Sequence, residues 1–348
     1  MEGSAAMATL SVTEARALAA RVMSALGYDS AEAEIIAAHL IDCELRGLSY
    51  GGLARAISIA ERLARTGRSG RPIRVERETP VSARVDGADQ IGYLVAERAT
   101  TLAIDKAKVT GLAAVSGSDT WYTGMLSWYA ERITAAGLVC LIASNATPWV
   151  APHGGSEGRF GTNPICVGFP SSDEPVIWDI GTSAVIHAQV TLAGRLGREL
   201  PQGVAFDAQG RPTLDPAAAL AGAFAAWGGP RGSGLGLVVQ LLGSLAGGPI
   251  MPPELAQFGF LIIALDPALF TEAESWRHRV ADYAEAVRAT RPCVAGEPVL
   301  MPFDRSRAER RRRLAEDAIA IPEPILSRLH ELEAGIRPLK ADVARPAF

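Results

Sequence analysis

The run GGPRGSGLGL at residues 228–237 decides which α/β fold this chain can adopt. Its glycines at 232, 234 and 236 resemble a dinucleotide-binding fingerprint only loosely. That fingerprint needs G-x-G-x-x-G between a first strand and a helix, so that backbone can approach a pyrophosphate. Here the last spacing is one residue short, no strand signal precedes it, and the run lies late in the chain. No Gly-Lys-Ser/Thr follows, which excludes a Walker loop. The residues read as a glycine-rich turn feeding a packed helix over 234–245. The start of that helix could still offer backbone N–H groups to a phosphate.

Outward from this run, composition narrows the class. The chain has 348 residues, 48% of them hydrophobic, which suits a large core and two or three domains. Its net charge of -4 gives no cationic field for nucleic acid or an anionic membrane. Cys43, Cys140, Cys166 and Cys293 are far apart, form no C-x-x-C and have apolar neighbours. They read as four buried thiols in a reducing compartment. The start, MEGSAAMATLSVTEA, has neither a basic region nor a long apolar one. The apolar stretch 234–248 is interrupted by Gln240 and Ser244 and is shorter than the roughly 18–20 residues a spanning helix needs. A cytoplasmic protein with no metal site is expected.

Three helices open the chain, over 11–26, 30–45 and 52–66, the first with a Ser11/Glu14 capping box. Residues 73–85 alternate like strands, and 94–108 are helical again. Short apolar runs beginning at Leu112, Leu138, Ile165 and Val176 read as buried strands, with a helix over 125–136 between two of them. Residues 196–216 carry turn signals, 258–265 read as a strand, and 306–319 and 325–333 as helices. Alternating strands and helices argue for an α/β fold with a largely buried sheet. The basic run 305–314 reads as a solvated helix face paired with Asp304, Glu309 and Glu316.

Chemistry-bearing motifs of the common kinds are missing: no H-E-x-x-H, no G-x-S-x-G, no metal-spaced histidines. His39 sits in an apolar helix and reads as packing, and His278 and His330 as surface groups. His153 and His187 lie in or near loops and are better site candidates. In SDTWYTGMLSWY, residues 118–129, a phenol stands two residues before a glycine and ahead of a helix.

Seven segments in order carry a resemblance across nearly the whole chain. They are Arg46-Gly47-Leu48-Ser49-x-Gly51 with Arg55; Tyr129-Ala130-Glu131-Arg132; Ala151-Pro152-x-Gly154-Gly155; Gly161-Thr162-Asn163-Pro164; Asp179-x-x-Thr182-Ser183; Leu200-Pro201-x-Gly203; and Asp207-x-x-Gly210-Arg211-Pro212-Thr213-x-Asp215-Pro216. Together with the glycine-rich run and Met301-Pro302, they resemble the second type of malate/L-lactate dehydrogenase family. That family includes ureidoglycolate, sulfolactate and 2,3-diketogulonate dehydrogenases and cyclic ketimine reductases. The resemblance implies a non-Rossmann, mixed-sheet nicotinamide-binding domain, a helical domain formed by both chain ends, and a homodimer with the site near the subunit contact. The corresponding division is an N-terminal helical part over 1–72, a substrate and sheet region over 73–120, the nicotinamide domain over 121–303, and C-terminal helices over 304–348.

The chain departs from the family at chemically important places. The family's Ser-His-Gly reads Ser49-Tyr50-Gly51, and its second histidine, the proton donor/acceptor, falls at Tyr122. Its Arg-Gly-Lys is His187-Ala188-Gln189, its lysine before the glycine-rich helix is Arg231, and its Pro-Gly-Glu-Arg is Pro302-Phe303-Asp304-Arg305. Histidine suits a base near pH 7, whereas tyrosine ionises at about 10 and works better as an acid. The exchange favours reduction over alcohol oxidation.

The resemblance implies a carboxylate-bearing carbonyl or cyclic imine substrate, NADPH or NADH as cofactor, and a place in a specialised biosynthetic pathway. Tyr122 would donate the proton, with Tyr50 orienting or relaying. Arg46, Ser49, Arg55, Thr162, Asn163 and His187 would contact substrate. Thr147, Asp179, Ile180, Gly181, Arg231, Asp304 and Arg305 would contact cofactor. The alternative is a scaffold repurposed for elimination, cyclisation or ligand binding.

Overall fold

The computed structural model describes residues 6–336. It begins with strand β1 (Met7–Leu10) and helices α1 (Val12–Ala25), α2 (Ser30–Leu45) and α3 (Leu53–Thr66). The Ser11/Glu14 capping box is present at α1. α2 is capped one residue before Ser30, by Asp29 with Glu32. Next come β2 (Arg74–Thr79), β3 (Ser82–Ile91), α4 (Gly92–Thr110), β4 (Leu112–Trp121), α5 (Leu126–Ala135), β5 (Val139–Ser144), β6 (Ile165–Phe169) and β7 (Val176–Ile180). The later part holds α6 (His187–Arg195), β8 (Ala205–Phe206), α7 (Pro216–Ala221), β9 (Ala223–Phe224), α8 (Pro230–Gly243) and β10 (Phe258–Leu265). It closes with α9 (Ala273–Arg288), α10 (Asp304–Glu316), β11 (Ile319–Pro322) and α11 (Glu323–Glu333).

Both chain ends build one helical unit. β1 pairs antiparallel with β11, and Ile325, Leu329 and Leu332 of α11 join the core made by Leu18, Val22, Ile36, Leu40 and Ile59. The central sheet has seven strands in the order β2-β3-β4-β10-β5-β6-β7. Only β3 and β4 are parallel neighbours, and every other pair is antiparallel. The sheet takes β2, β3 and β4 from 73–120 and β5, β6, β7 and β10 from 121–303, so one sheet crosses that division.

β10 enters between β4 and β5, so β3, β4, β5 and β7 all run one way. α4 and α5 cover one face, with Val95, Ala99, Leu126 and Ile133 against Val115, Ile142 and Ile262. α8 covers the other, with Val239 on Ala143 and Ile165. Alternation along β5 and β6 sends neighbouring residues to these two layers.

Four expectations change. Only Gly228 and Gly229 of the glycine-rich run lie in a turn: α8 starts at Pro230, so Gly232, Gly234 and Gly236 lie inside the helix. A Cβ at Gly236 would stand 2.7 Å from the Phe160 ring, so glycine here allows close packing. The basic helix ends at Glu316, and Ile319 begins a strand. Helices α6 and α9 lie where the sequence pattern predicts no element. Cys293 is exposed, while Cys43, Cys140 and Cys166 are buried thiols. No helix of the described residues is long and apolar enough to cross a membrane.

Candidate active site

The C-terminal ends of β3, β4, β5 and β7 open onto one cavity of about 590 Å³. Chain segments leaving a sheet at these ends diverge, which leaves a crevice for ligands. Tyr93 follows β3, Tyr122 follows β4, Asn145 follows β5 and Gly181 follows β7, and all four line the cavity. Tyr50, Arg55, Thr162, His187, Asp179, Ile180 and Arg305 line it as well. Nine residues proposed from sequence, contributed by segments from Tyr50 to Arg305, therefore meet in one place.

Tyr122 and Arg55 stand against each other on the cavity wall. Tyr122 adopts a left-handed backbone conformation, φ 52°, which non-glycine residues rarely visit outside constrained turns. The Arg55 guanidinium lies over its ring, 4.2 Å from the centroid. Arg55 Nη1 is buried and has no hydrogen-bond partner. A guanidinium fork with an unpaired donor suits a planar carboxylate. Also on the cavity, His187 stacks on Trp149 with centroids 4.1 Å apart.

The remaining groups set protonation. Burial, with Cys43 and Asp179 nearby, pushes the Tyr50 phenol up to about 12 against the pull of Arg305 and Arg55, so it stays neutral. Burial also raises the Asp179 carboxyl, which accepts from Ser127 N–H at 2.7 Å and so caps the start of α5. Beside the cavity, Thr123 Oγ1 and Ser144 Oγ share a hydrogen bond of 2.8 Å, and Tyr129 donates to Thr123 O at 2.7 Å.

Six proposed residues are not brought to the cavity. Arg46 is buried, 2.5 Å from Asp42 and 2.7 Å from Glu131, and stacks on Phe303; it is Phe303 that lines the cavity. Asp304 is held by Arg288 through bonds of 2.8 and 2.9 Å. Thr147 donates to Pro253 O and accepts from Leu255 N–H, tying two loops together. Asn163 is buried and donates to Gly236 O and Gln240 Oε1, anchoring its loop on α8. Ser49 sits in the turn before α3, where its carbonyl accepts from Gly52 N–H. Arg231 is exposed in the first turn of α8.

Sequence reasoning missed Trp149, Tyr93, Asn145 and Phe258, which also line the cavity. The rule that ligands bind beyond strand ends could have found Tyr93 and Asn145. Trp149 and Phe258 carried no local signal. Of the histidines, His153 is exposed. His39 is buried and faces the loop that carries Tyr122, where its Nε2 accepts from Met125 N–H at 2.9 Å. Among the described residues no group of three or more His, Cys, Asp or Glu is placed to hold a metal ion.

The cavity fits a nicotinamide dinucleotide. Its volume lies within the roughly 300–1,000 Å³ typical of ligand and cofactor sites. Arg305 and Ser306, in the first turn of α10, line it and bring a cation and helix-start amides for phosphate. Trp149, Trp227 and Phe258 offer aromatic faces for planar rings.

Comparisons with known proteins show the family and the fold. The sequence model of malate/L-lactate dehydrogenase matches residues 10–330. A malate/(S)-sulfolactate dehydrogenase of Methanothermus fervidus is 31% identical, covering 93% of this chain and 96% of its own. A Δ1-pyrroline-2-carboxylate/Δ1-piperideine-2-carboxylate reductase of Pseudomonas aeruginosa is 30% identical over 92% of this chain and 97% of its own. The crystal structure of a dehydrogenase from Sinorhizobium meliloti superimposes with a TM-score of 0.88 at 31% identity, covering 94% of this chain and 98% of that one. The chain belongs to the malate/L-lactate dehydrogenase family and is an NAD(P)-dependent oxidoreductase.

Proposed function

We propose that this protein reduces a carboxylate-bearing carbonyl or cyclic imine with NAD(P)H, with Tyr122 as the proton donor. The observation that carries the reading is the pairing of Arg55 and Tyr122: a cation with an unpaired donor against a phenol, both on the cavity. The bound cofactor supplies hydride to the carbonyl or imine carbon. Arg55 would hold the substrate carboxylate, which orients the carbon beside it. Tyr122 would deliver a proton to the developing alkoxide or amine nitrogen. Tyr50, kept neutral by burial, would donate a hydrogen bond to the same group. Neutral phenols are acids rather than bases near neutral pH, so this constellation supports reduction more than oxidation.

Relatives named for sulfolactate, malate and cyclic imino acids place a carboxylate next to the reacting carbon in each case. That shared chemistry supports the role given to Arg55. A dimer is part of the same reading. Leu237, Val238 and Leu241 leave one face of α8 apolar and 47–54% exposed, and Leu245 in the turn just after it is 64% exposed; such a patch on a globular surface suits a second copy of the chain.

The test is NADH and NADPH oxidation with oxaloacetate, 3-sulfopyruvate, Δ1-pyrroline-2-carboxylate and Δ1-piperideine-2-carboxylate. Turnover of at least one is expected. Calorimetry showing no binding of NADH or NADPH would refute the reading.

A further inference from the structure

His39 is built into the back of the turn that carries Tyr122. It stands on α2, almost wholly buried. Its ring packs edge-on against Tyr93 at 4.5 Å and lies 5.3 Å from Trp128 and 5.7 Å from Tyr129. Nε2 accepts from Met125 N–H at 2.9 Å. Met125 is the residue just before α5, and no side chain of its own caps that helix. Its N–H would be a partly buried donor without this partner if the imidazole were absent.

The contact extends to the backbone of the turn itself. Gly124 has φ 85° and Tyr122 φ 52°, so β4 reverses sharply into α5. A Cβ at 124 would stand 2.7 Å from His39 Nε2. The ring therefore touches the turn at 124 and 125, two and three residues from the phenol. Other holds on this turn include Tyr129 on Thr123 O, the Thr123–Ser144 hydroxyl pair, Asp179 on Ser127 N–H, Tyr93 against Gly124 and Arg55 on the Tyr122 ring.

A neutral ring is required for this bond, because Nε2 can accept only when the proton sits on Nδ1. Burial, with the Arg46 charge nearby, pushes the imidazole down to about 3, so it remains an acceptor across the working range.

We propose that His39 is a positioning residue for the proton-donor turn, acting through Met125 N–H and Gly124 to fix where the Tyr122 phenol stands. The inference rests on the reading of Tyr122 as proton donor. A misplacement of about 1 Å at a reacting group can cost roughly 10²-fold in rate, so a residue outside the cavity can govern turnover.

The experiment is a double-mutant cycle on NADPH oxidation with Δ1-piperideine-2-carboxylate, using Tyr122→Phe, His39→Leu, the pair together, and His39→Gln. His39→Leu is expected to lower kcat by roughly 10²-fold while the Kd for NADPH, read by fluorescence, stays within about twofold. His39→Gln, which keeps an acceptor in reach of Met125 N–H, is expected to recover most of the loss. In the Tyr122→Phe background, His39→Leu should cost little more. Independent, multiplicative losses would overturn the inference, as would a Gln variant no better than Leu. Full activity of Tyr122→Phe alone would instead remove the donor reading on which it rests. If the Leu variant does not fold, or no turnover is seen, 15N NMR of histidine-labelled wild type decides. An unprotonated Nε2 from about pH 5 to about pH 9 is expected for His39, and a protonated Nε2 would overturn the inference.

Discussion

Arg55 shows what one residue contributes when its partners are missing. Its guanidinium already has an aromatic face to lie on, yet Nη1 is buried without an acceptor. A hydrogen bond to a charged group contributes about 1.5–3 kcal/mol. Arg55→Leu should therefore raise KM for Δ1-piperideine-2-carboxylate by about 10- to 100-fold and leave NADPH binding in place, measured by initial rates and fluorescence titration. Arg55→Lys should not restore it, since lysine lacks the planar fork and the stack. An unchanged KM in the Leu variant would remove Arg55 from the substrate. Arg46 is equally suited by sequence and is placed differently. Its Asp42 partner is one helical turn away and legible, but Glu131 is 85 residues distant and is not. Which of two arginines faces a ligand depends on such remote partners. Breaking a buried pair costs about 3–5 kcal/mol, so Arg46→Met should show mainly as lost stability in denaturant unfolding.

Two elements carry predictions of their own. In α8, a Cβ added at Gly234 would meet nothing within 4 Å, whereas one at Gly236 would face Phe160 at 2.7 Å and Thr182 Oγ1 at 3.1 Å. Alanine in place of helix glycine contributes about 0.8–1.0 kcal/mol. Gly234→Ala should thus raise Tm, and Gly236→Ala should lower it despite the same helical gain; calorimetry distinguishes the two. The glycine run misled because Gly236 serves close packing inside a helix, and the contacts that require it come from Phe160 and Thr182, far away in sequence.

At α3, Glu44 accepts from Leu53 N–H at 2.7 Å and is fully buried. Burial pushes its carboxyl from 4.5 to about 7. Between those values the folded protein holds a proton that the unfolded chain has released, so raising pH favours unfolding. On the order of 3 kcal/mol is lost over that window, and no more above it. Glu44→Gln keeps an acceptor for Leu53 and cannot ionise. It should match wild type near pH 4.5 and unfold at higher urea than wild type at pH 8. A lower midpoint at pH 8 would show that the ionised carboxylate is the better cap.

For the whole molecule, the two ends meet because β1 and β11 pair and α11 completes the core of α1–α3. Periodicity made the opening helices legible, and a capping residue marked the start of the first; the second is capped by Asp29 rather than by Ser30, and the third has no side-chain cap. Short strands such as β1 and β11 were not legible, because four residues carry too little pattern and only their mutual pairing defines them. The order of the seven-stranded sheet was likewise hidden: β10 inserts between β4 and β5 from more than a hundred residues further along the chain. That insertion is what brings four strand ends to one cavity. If the exposed face of α8 meets a second copy, Leu241→Glu should shift light scattering from dimer to monomer, and a wild-type monomer would contradict the dimer.

The function proposed for this fold depends on a phenol moving a proton where the family pattern has histidine. The most direct measurement is kcat for NADPH oxidation with Δ1-piperideine-2-carboxylate in wild type and Tyr122→Phe, at equal, saturating cofactor. A loss of roughly 10²-fold or more with the cofactor Kd unchanged is the predicted result. Equal kcat in the two proteins would contradict it.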